Sequence, residues 1–161
     1  VAAQSGYDLL RVQDFMVIGI IYWNQWRRPI HFAITIPGSN RLNLDPYLRM
    51  VGMTMRLERQ RDLGADGEAL ARNLLEKYRF RGVKDAGVYK DDNASRLLGN
   101  YYACVMALAE VYEKEGRGAE LEQLFRWAEE RLSVSWERYY GFAEQLRRTG
   151  GVQVLLRRFR R

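Results

Sequence analysis

One cysteine, one histidine and three prolines are all that this 161-residue chain has of those types. With Cys104 alone no internal disulfide can form, and one Cys with one His is too few for a zinc site of the usual kind. Cys104 lies in an apolar helical pattern and reads as a small buried hydrophobe. The lack of cysteine pairs leaves the redox compartment open. A Ser-His-Asp or Cys-His arrangement would have to use His31, yet Ile30 and Phe32 place it on a strand and no Gly-x-Ser-x-Gly accompanies it. A structural or surface histidine is the expectation. Long hydrophobic runs are missing too: the most apolar stretch, residues 15–23, falls far short of the ~20 residues of a membrane helix. No leader pattern precedes Tyr7, and a chain starting at Val1 reads as part of something longer. The glycines Gly64, Gly67, Gly82 and Gly87 are scattered turn residues and make no phosphate-cradling loop. No cofactor pattern is present. Acid is absent from residues 145–161, which carry six arginines: Arg147, Arg148, Arg157, Arg158, Arg160 and Arg161. Those six account for the whole net charge of +6, so the excess is a C-terminal feature. It reads either as a solvated helix end or as a basic tail for anionic lipid or nucleic acid.

What is present is a repeat. Leu108-Ala109 recurs as Phe142-Ala143, Tyr112 as Leu146, Gly116 as Gly150, Leu121 as Leu155 and Phe125 as Phe159. The period is 34 residues, with large-small apolar pairs and a glycine between two helical patterns. That is the signature of tetratricopeptide units. At this spacing the first helix of each unit would line a groove. Ala103, Met106, Glu110, Glu113 and Lys114 would face it in the first unit, and Glu137, Tyr140, Glu144, Arg147 and Arg148 in the second. Such a groove is mixed in charge and suits a polar protein segment better than a polyanion.

Helical spacing of Leu9, Leu10, Phe15, Ile18, Ile21 and Tyr22 predicts an amphipathic to buried helix over residues 5–24. Pro29 stops it. Residues 30–36 alternate as a short strand, followed by the turn cluster Pro37-Gly38-Ser39-Asn40. Asp45 and Pro46 read as the cap and first turn of a short helix ended by Gly52. Residues 53–57 read as a second strand pairing with the first. Asp66 caps a helix through Leu70, Leu74, Leu75 and Tyr78, closed by Arg81-Gly82. Asp91 or Asp92 caps a long helix ended at Gly116. Residues 118–132, 133–148 and 151–159 read as further helices. The expected fold is therefore mainly α: helical hairpins of tetratricopeptide type over residues 62–161, and an N-terminal helix with a two-stranded ribbon over residues 1–61, packed as one unit.

The most unusual cluster is Trp23, Trp26, Arg27 and Arg28. Two indoles three residues apart on one helix face are followed by two guanidiniums. They can stack on a sugar, lipid headgroup or neighbouring domain and bind an anion. Equally, they can close the core where helix meets strand. Asp85, Asp91, Asp92 and Asn93 offer oxygen ligands, but not at the spacing of a calcium loop, and capping accounts for Asp91 and Asp92. The carboxylate pairs Asp91-Asp92 and Glu129-Glu130 have no apolar pocket to raise a pKa.

Three segments in order carry a resemblance. The first is Asn24-Gln25-Trp26-Arg27-Arg28-Pro29-Ile30-His31-Phe32-Ala33. The second is Tyr47-Leu48 with Gly52-Met53 and Arg56-Leu57. The third is Phe80-Arg81-Gly82 with Asp85-Ala86-Gly87-Val88-Tyr89-Lys90-Asp91-Asp92-Asn93 and Arg96. Together they resemble the C-terminal soluble region of a family of bacterial multi-pass membrane proteins. That family is similar to protein O-mannosyltransferases of the GT-C type and often ends in tetratricopeptide-like repeats. The resemblance implies that transfer from lipid-linked sugar to protein uses acidic residues in membrane-embedded loops upstream, so no catalytic residue carries over. It also implies an inner-membrane protein with this region on the extracytoplasmic side. Its partners would be its own transmembrane region and an acceptor or partner protein. The arginine-rich end has no counterpart in the family, and anionic lipid contact through Arg157, Arg158, Arg160 and Arg161 is expected from charge alone. His31 departs from the pattern, standing where Tyr is expected. The expected function is thus a non-catalytic domain that positions an acceptor at the membrane surface. A free-standing tetratricopeptide scaffold and a basic nucleic-acid-binding module are the alternatives.

Overall fold

The computed structural model describes residues 10–132. The expected helices over residues 133–148 and 151–159, the second repeat and the arginine-rich end lie outside them. Within the described residues the fold is rich in helix, with a small three-stranded antiparallel sheet.

Helix α1 spans Val12–Asn24. It starts where Asp14 reaches back to the Arg11 amide (2.8 Å), while the Arg11 guanidinium grips the same carboxylate at 3.1 Å. That contact satisfies one of the orphan donors of a helix start. The Arg11 guanidinium, first among the causes, holds the Asp14 carboxyl below its usual pKa. The helix ends at Gln25 and Trp26, which both take left-handed backbone (φ 46° and 61°) before Pro29. Two consecutive non-glycine residues there are uncommon.

The sheet is ordered β1 (His31–Ala33), β3 (Thr54–Leu57), β2 (Leu48–Met50). The expected pairing of β1 with β3 forms, in the register His31↔Arg56 and Phe32↔Met55. The ribbon has a third strand, however. Pro46 supports only a 3-10 turn, Asp45–Tyr47, after which the chain extends into β2. Asp45 does not cap that turn; its carboxylate takes the Arg41 guanidinium at 2.6 Å. The strand is chosen because Leu48 and Met50 meet Leu57 and Met55 on one face of the sheet. Alternation puts Phe32, Met50 and Met55 on one face, and His31, Arg49 and Arg56 on the other.

Helix α2, Gly67–Ala71, runs straight into a π-helical segment, Arg72–Lys77. Asp66 caps it as expected, accepting from the Ala69 amide at 3.1 Å. The wider turn was not legible from spacing. It ends at Tyr78, whose amide bonds back to the Asn73 carbonyl at 2.9 Å. The segment grips the tip of the β2–β3 hairpin. Asn73 donates to the Val51 carbonyl (2.7 Å), and the Tyr78 hydroxyl accepts from the Met53 amide (2.8 Å). Gly52 sits in that grip at φ +148°, where a Cβ would lie 2.3 Å from the Tyr78 oxygen, so only glycine fits. Residues expected to continue this helix to Gly82 instead run as an irregular segment from Tyr78 onward, with Val83 buried.

Helix α3, Asp92–Lys114, is capped by Asp91 (2.6 Å to the Ala94 amide) and followed by Gly116 at φ +70°. Helix α4, Gly118–Arg131, folds back onto it. The core lies here. Leu70, Leu74, Cys104, Leu108, Ala109 and Ala128 are fully enclosed, and Met50 and Met53 reach it from the β2–β3 hairpin. Phe80 stands edge-on to both Tyr101 (4.9 Å) and Trp127 (5.1 Å).

Candidate functional site

Three polar or apolar clusters are candidates for function. The first is the corner after α1. The Asn24 amide donates to the Arg28 carbonyl at 2.7 Å, and the Arg27 amide to the Asn24 carbonyl at 2.8 Å, so the strained turn is held from both sides. Trp26 is half-exposed and lies under the Arg59 guanidinium, 5.1 Å from the ring centroid. Strand register explains Arg59: counting back from His31 and forward from Arg56 brings Arg59 level with Arg28. Spacing along one segment did not reveal it, but the pairing of the two strands would have. Trp23 is 76% exposed and does not close a core. Its indole lies along its own helix over Gly19, where a Cβ would come within 2.9 Å of the ring. Among the described residues Arg27, Arg28 and Arg59 form no ion pair with a carboxylate.

The corner continues into α1 itself. At 100° per residue, Val12, Phe15, Met16, Ile18, Ile20, Tyr22 and Trp23 sweep an arc of about 200°, and every one is exposed. Asp14, Val17, Ile21 and Asn24 make the covered side. The expectation of an inward-facing helix is therefore reversed for Phe15, Ile18 and Tyr22. An amphipathic pattern shows which side is apolar, not what covers it.

The second cluster is the polar face of the sheet. Arg49 and Arg56 stand directly opposite each other in the register, an unfavourable arrangement for like charges. Asp66 answers both, at 3.6 Å from Arg49 and 3.2 Å from Arg56, and Glu58 takes Arg56 at 2.6 Å. The Glu58 hydrogen bond, ahead of the other causes, raises the Arg56 pKa. Asp66 thus caps α2 and ties it to the sheet with one carboxylate. His31 joins this face, exposed, with Nδ1 2.9 Å from the Thr54 hydroxyl. These groups neutralise one another.

The third is the helical hairpin. Met106 is 9% exposed and belongs to the core, while Glu110 and Glu113 are half-buried on the same helix. Tyr140, Glu144 and Arg147, the remaining residues expected in a groove, lie outside the described residues. Burial pushes the Cys104 thiol up to about 12, which makes it inert as a nucleophile. Asp85 accepts from the Gly87 amide (2.8 Å), Asp91 caps α3, and Asn93 accepts from the Arg96 guanidinium at 3.0 Å. Among the described residues no group of three His, Cys, Asp or Glu side chains is placed to hold a metal ion, and no helix is long and apolar enough to cross a membrane.

Residues 2–63 match the family described as TMEM260-associated domain 2. The matched stretch contains α1, the tryptophan–arginine corner and the whole sheet. No curated protein and no solved structure matches the chain.

Proposed function

We propose that this chain is a non-catalytic domain of a membrane glycosyltransferase-like protein, holding an acceptor polypeptide or partner protein at the membrane surface. The match of residues 2–63 to TMEM260-associated domain 2 carries the reading. It overlaps the Asn24–Ala33 and Tyr47–Leu57 segments on which the resemblance to O-mannosyltransferase-like membrane proteins rests. The α3–α4 hairpin, with Gly116 between its helices, supports reading this part as the first of two tetratricopeptide-type units. Its half-buried Glu110 and Glu113 would face the docked segment.

The test uses the full-length membrane protein with residues 102–161 removed, expressed in cells at the level of the parent. Acceptor glycosylation should fall several-fold. Equal glycosylation at equal protein level contradicts the proposal. A charge reversal, Glu110→Lys, separates docking from folding: the acceptor should be lost while the urea midpoint stays unchanged.

A further inference from the structure

We infer that α1 and its tryptophan–arginine corner bind the interface of an anionic lipid bilayer, lying along it rather than crossing it. This deepens the proposed function by naming the surface through which the domain meets the membrane, and rests on that reading for its biological place. Its physical grounds are independent.

Three observations carry it. The first is the width of the exposed arc. A helix that docks in a protein groove presents a stripe, whereas an apolar surface that extends round about half a helix or more suits a surrounding apolar medium. Phe15 is 61%, Met16 65% and Trp23 76% exposed, and Ile18 and Ile20 continue the surface. The second is the order of residue types along the helix. Its aliphatic surface is joined at one end by Tyr22, Trp23 and Trp26, with Arg27 and Arg28 beside them. Amphipathic rings and long cationic side chains are the residue types that settle at headgroup level, the depth at which a helix lying in the bilayer surface sits. The third is charge. Arg27, Arg28 and Arg59 form no ion pair among the described residues, and Asp14, the one acid of α1, lies on the covered side bound to Arg11. The exposed surface is therefore apolar and cationic without an exposed acid on the helix. At 13 residues, about 20 Å long, α1 is too short to span the hydrocarbon layer, so it lies in the interface.

The experiment is sedimentation of the whole 161-residue chain with vesicles of phosphatidylcholine alone and with 30% phosphatidylglycerol, followed by tryptophan quenching with brominated lipid. Binding to the anionic vesicles is expected, with quenching that drops in Trp23→Phe. Phe15→Ser with Ile18→Ser should abolish sedimentation. Arg27→Gln and Arg28→Gln should each weaken it about fivefold. Neither pair should change the urea midpoint, which separates lost binding from lost folding. Four results overturn the inference: no binding to either vesicle; binding that survives the Phe15/Ile18 pair; binding that depends only on Arg157–Arg161; or a stable dimer of the chain that the Phe15/Ile18 pair converts to monomer. Loss of vesicle binding with acceptor glycosylation still dependent on residues 102–161 would overturn this inference and leave the docking role standing.

Discussion

Helix α1 and the α3–α4 hairpin use apolar residues in opposite ways. Along α3, a modest number of them suffices: Cys104, Val105, Leu108, Ala109 and Tyr112 recur at helical spacing, and all are buried, while Glu110 and Lys114 take the other side. Helix α1 is far richer in aliphatic and aromatic side chains, yet its one buried residue is the charged Asp14. Apolar content and burial are decoupled because burial depends on what packs against a face. The hairpin brings its own partner through a three-residue connection, whereas α1 packs extensively on no other element of the described fold. The hairpin uses its apolar side chains for stability, whereas α1 presents its own outward.

The largest effect is expected in the hairpin. Leu108→Ala, at a position with no exposure, should lower stability by about 2–5 kcal/mol through lost burial and a cavity, read from urea denaturation. A loss under about 0.5 kcal/mol would mean the hairpin is not the core.

Asp66→Ala comes next, because this one carboxylate ties the sheet to α2. It removes a helix cap and leaves Arg49 opposite Arg56 without their shared partner. About 2 kcal/mol is expected, against about 1 kcal/mol for Asp91→Ala, which removes a cap alone. Equal losses in the two unfolding curves would mean the sheet and helices are not joined through Asp66.

Thiol chemistry sharpens the contrast without perturbing the fold. Native Cys104 should resist iodoacetamide, while a cysteine placed by Phe15→Cys should react at once at pH 8. The sign of the pH effect follows from the thiol. Its folded pKa, about 12, lies above the ordinary 9.0, so the unfolded chain deprotonates first. The stability tied to Cys104 is intact below pH 9 and declines as pH rises from there toward 12. A Cys104→Ser variant should lose that part of the alkaline slope.

Much of the helical half was legible beforehand. Asp66 and Asp91 act as the caps that their places before apolar periodicity suggested, and Gly116 ends the long helix. Those signals are local, set by orphan amides and by φ > 0. The β1–β3 pairing was legible too, from alternation on either side of a turn cluster. What escaped depends on tertiary partners. Strand β2 looked helical because Asp45-Pro46 imitates a helix start, and only Leu57 and Met55 across the sheet decide otherwise. The π segment exists to present Asn73 and Tyr78 to a hairpin tip, which no spacing records. The tryptophan–arginine cluster stands out from its residues alone; Arg59 follows from the β1–β3 register, and the exposure of the cluster only from the fold.

An exposed arc on α1 should contribute nothing to folding, and a single urea titration decides it. Serine matches valine, phenylalanine and isoleucine closely in helix propensity. The combined variant Val12→Ser, Phe15→Ser, Ile18→Ser should therefore unfold within about 0.5 kcal/mol of the parent, the range of surface substitutions. A loss of about 3 kcal/mol or more, of the order expected for truncating a core side chain, would show instead that α1 is buried within its own chain.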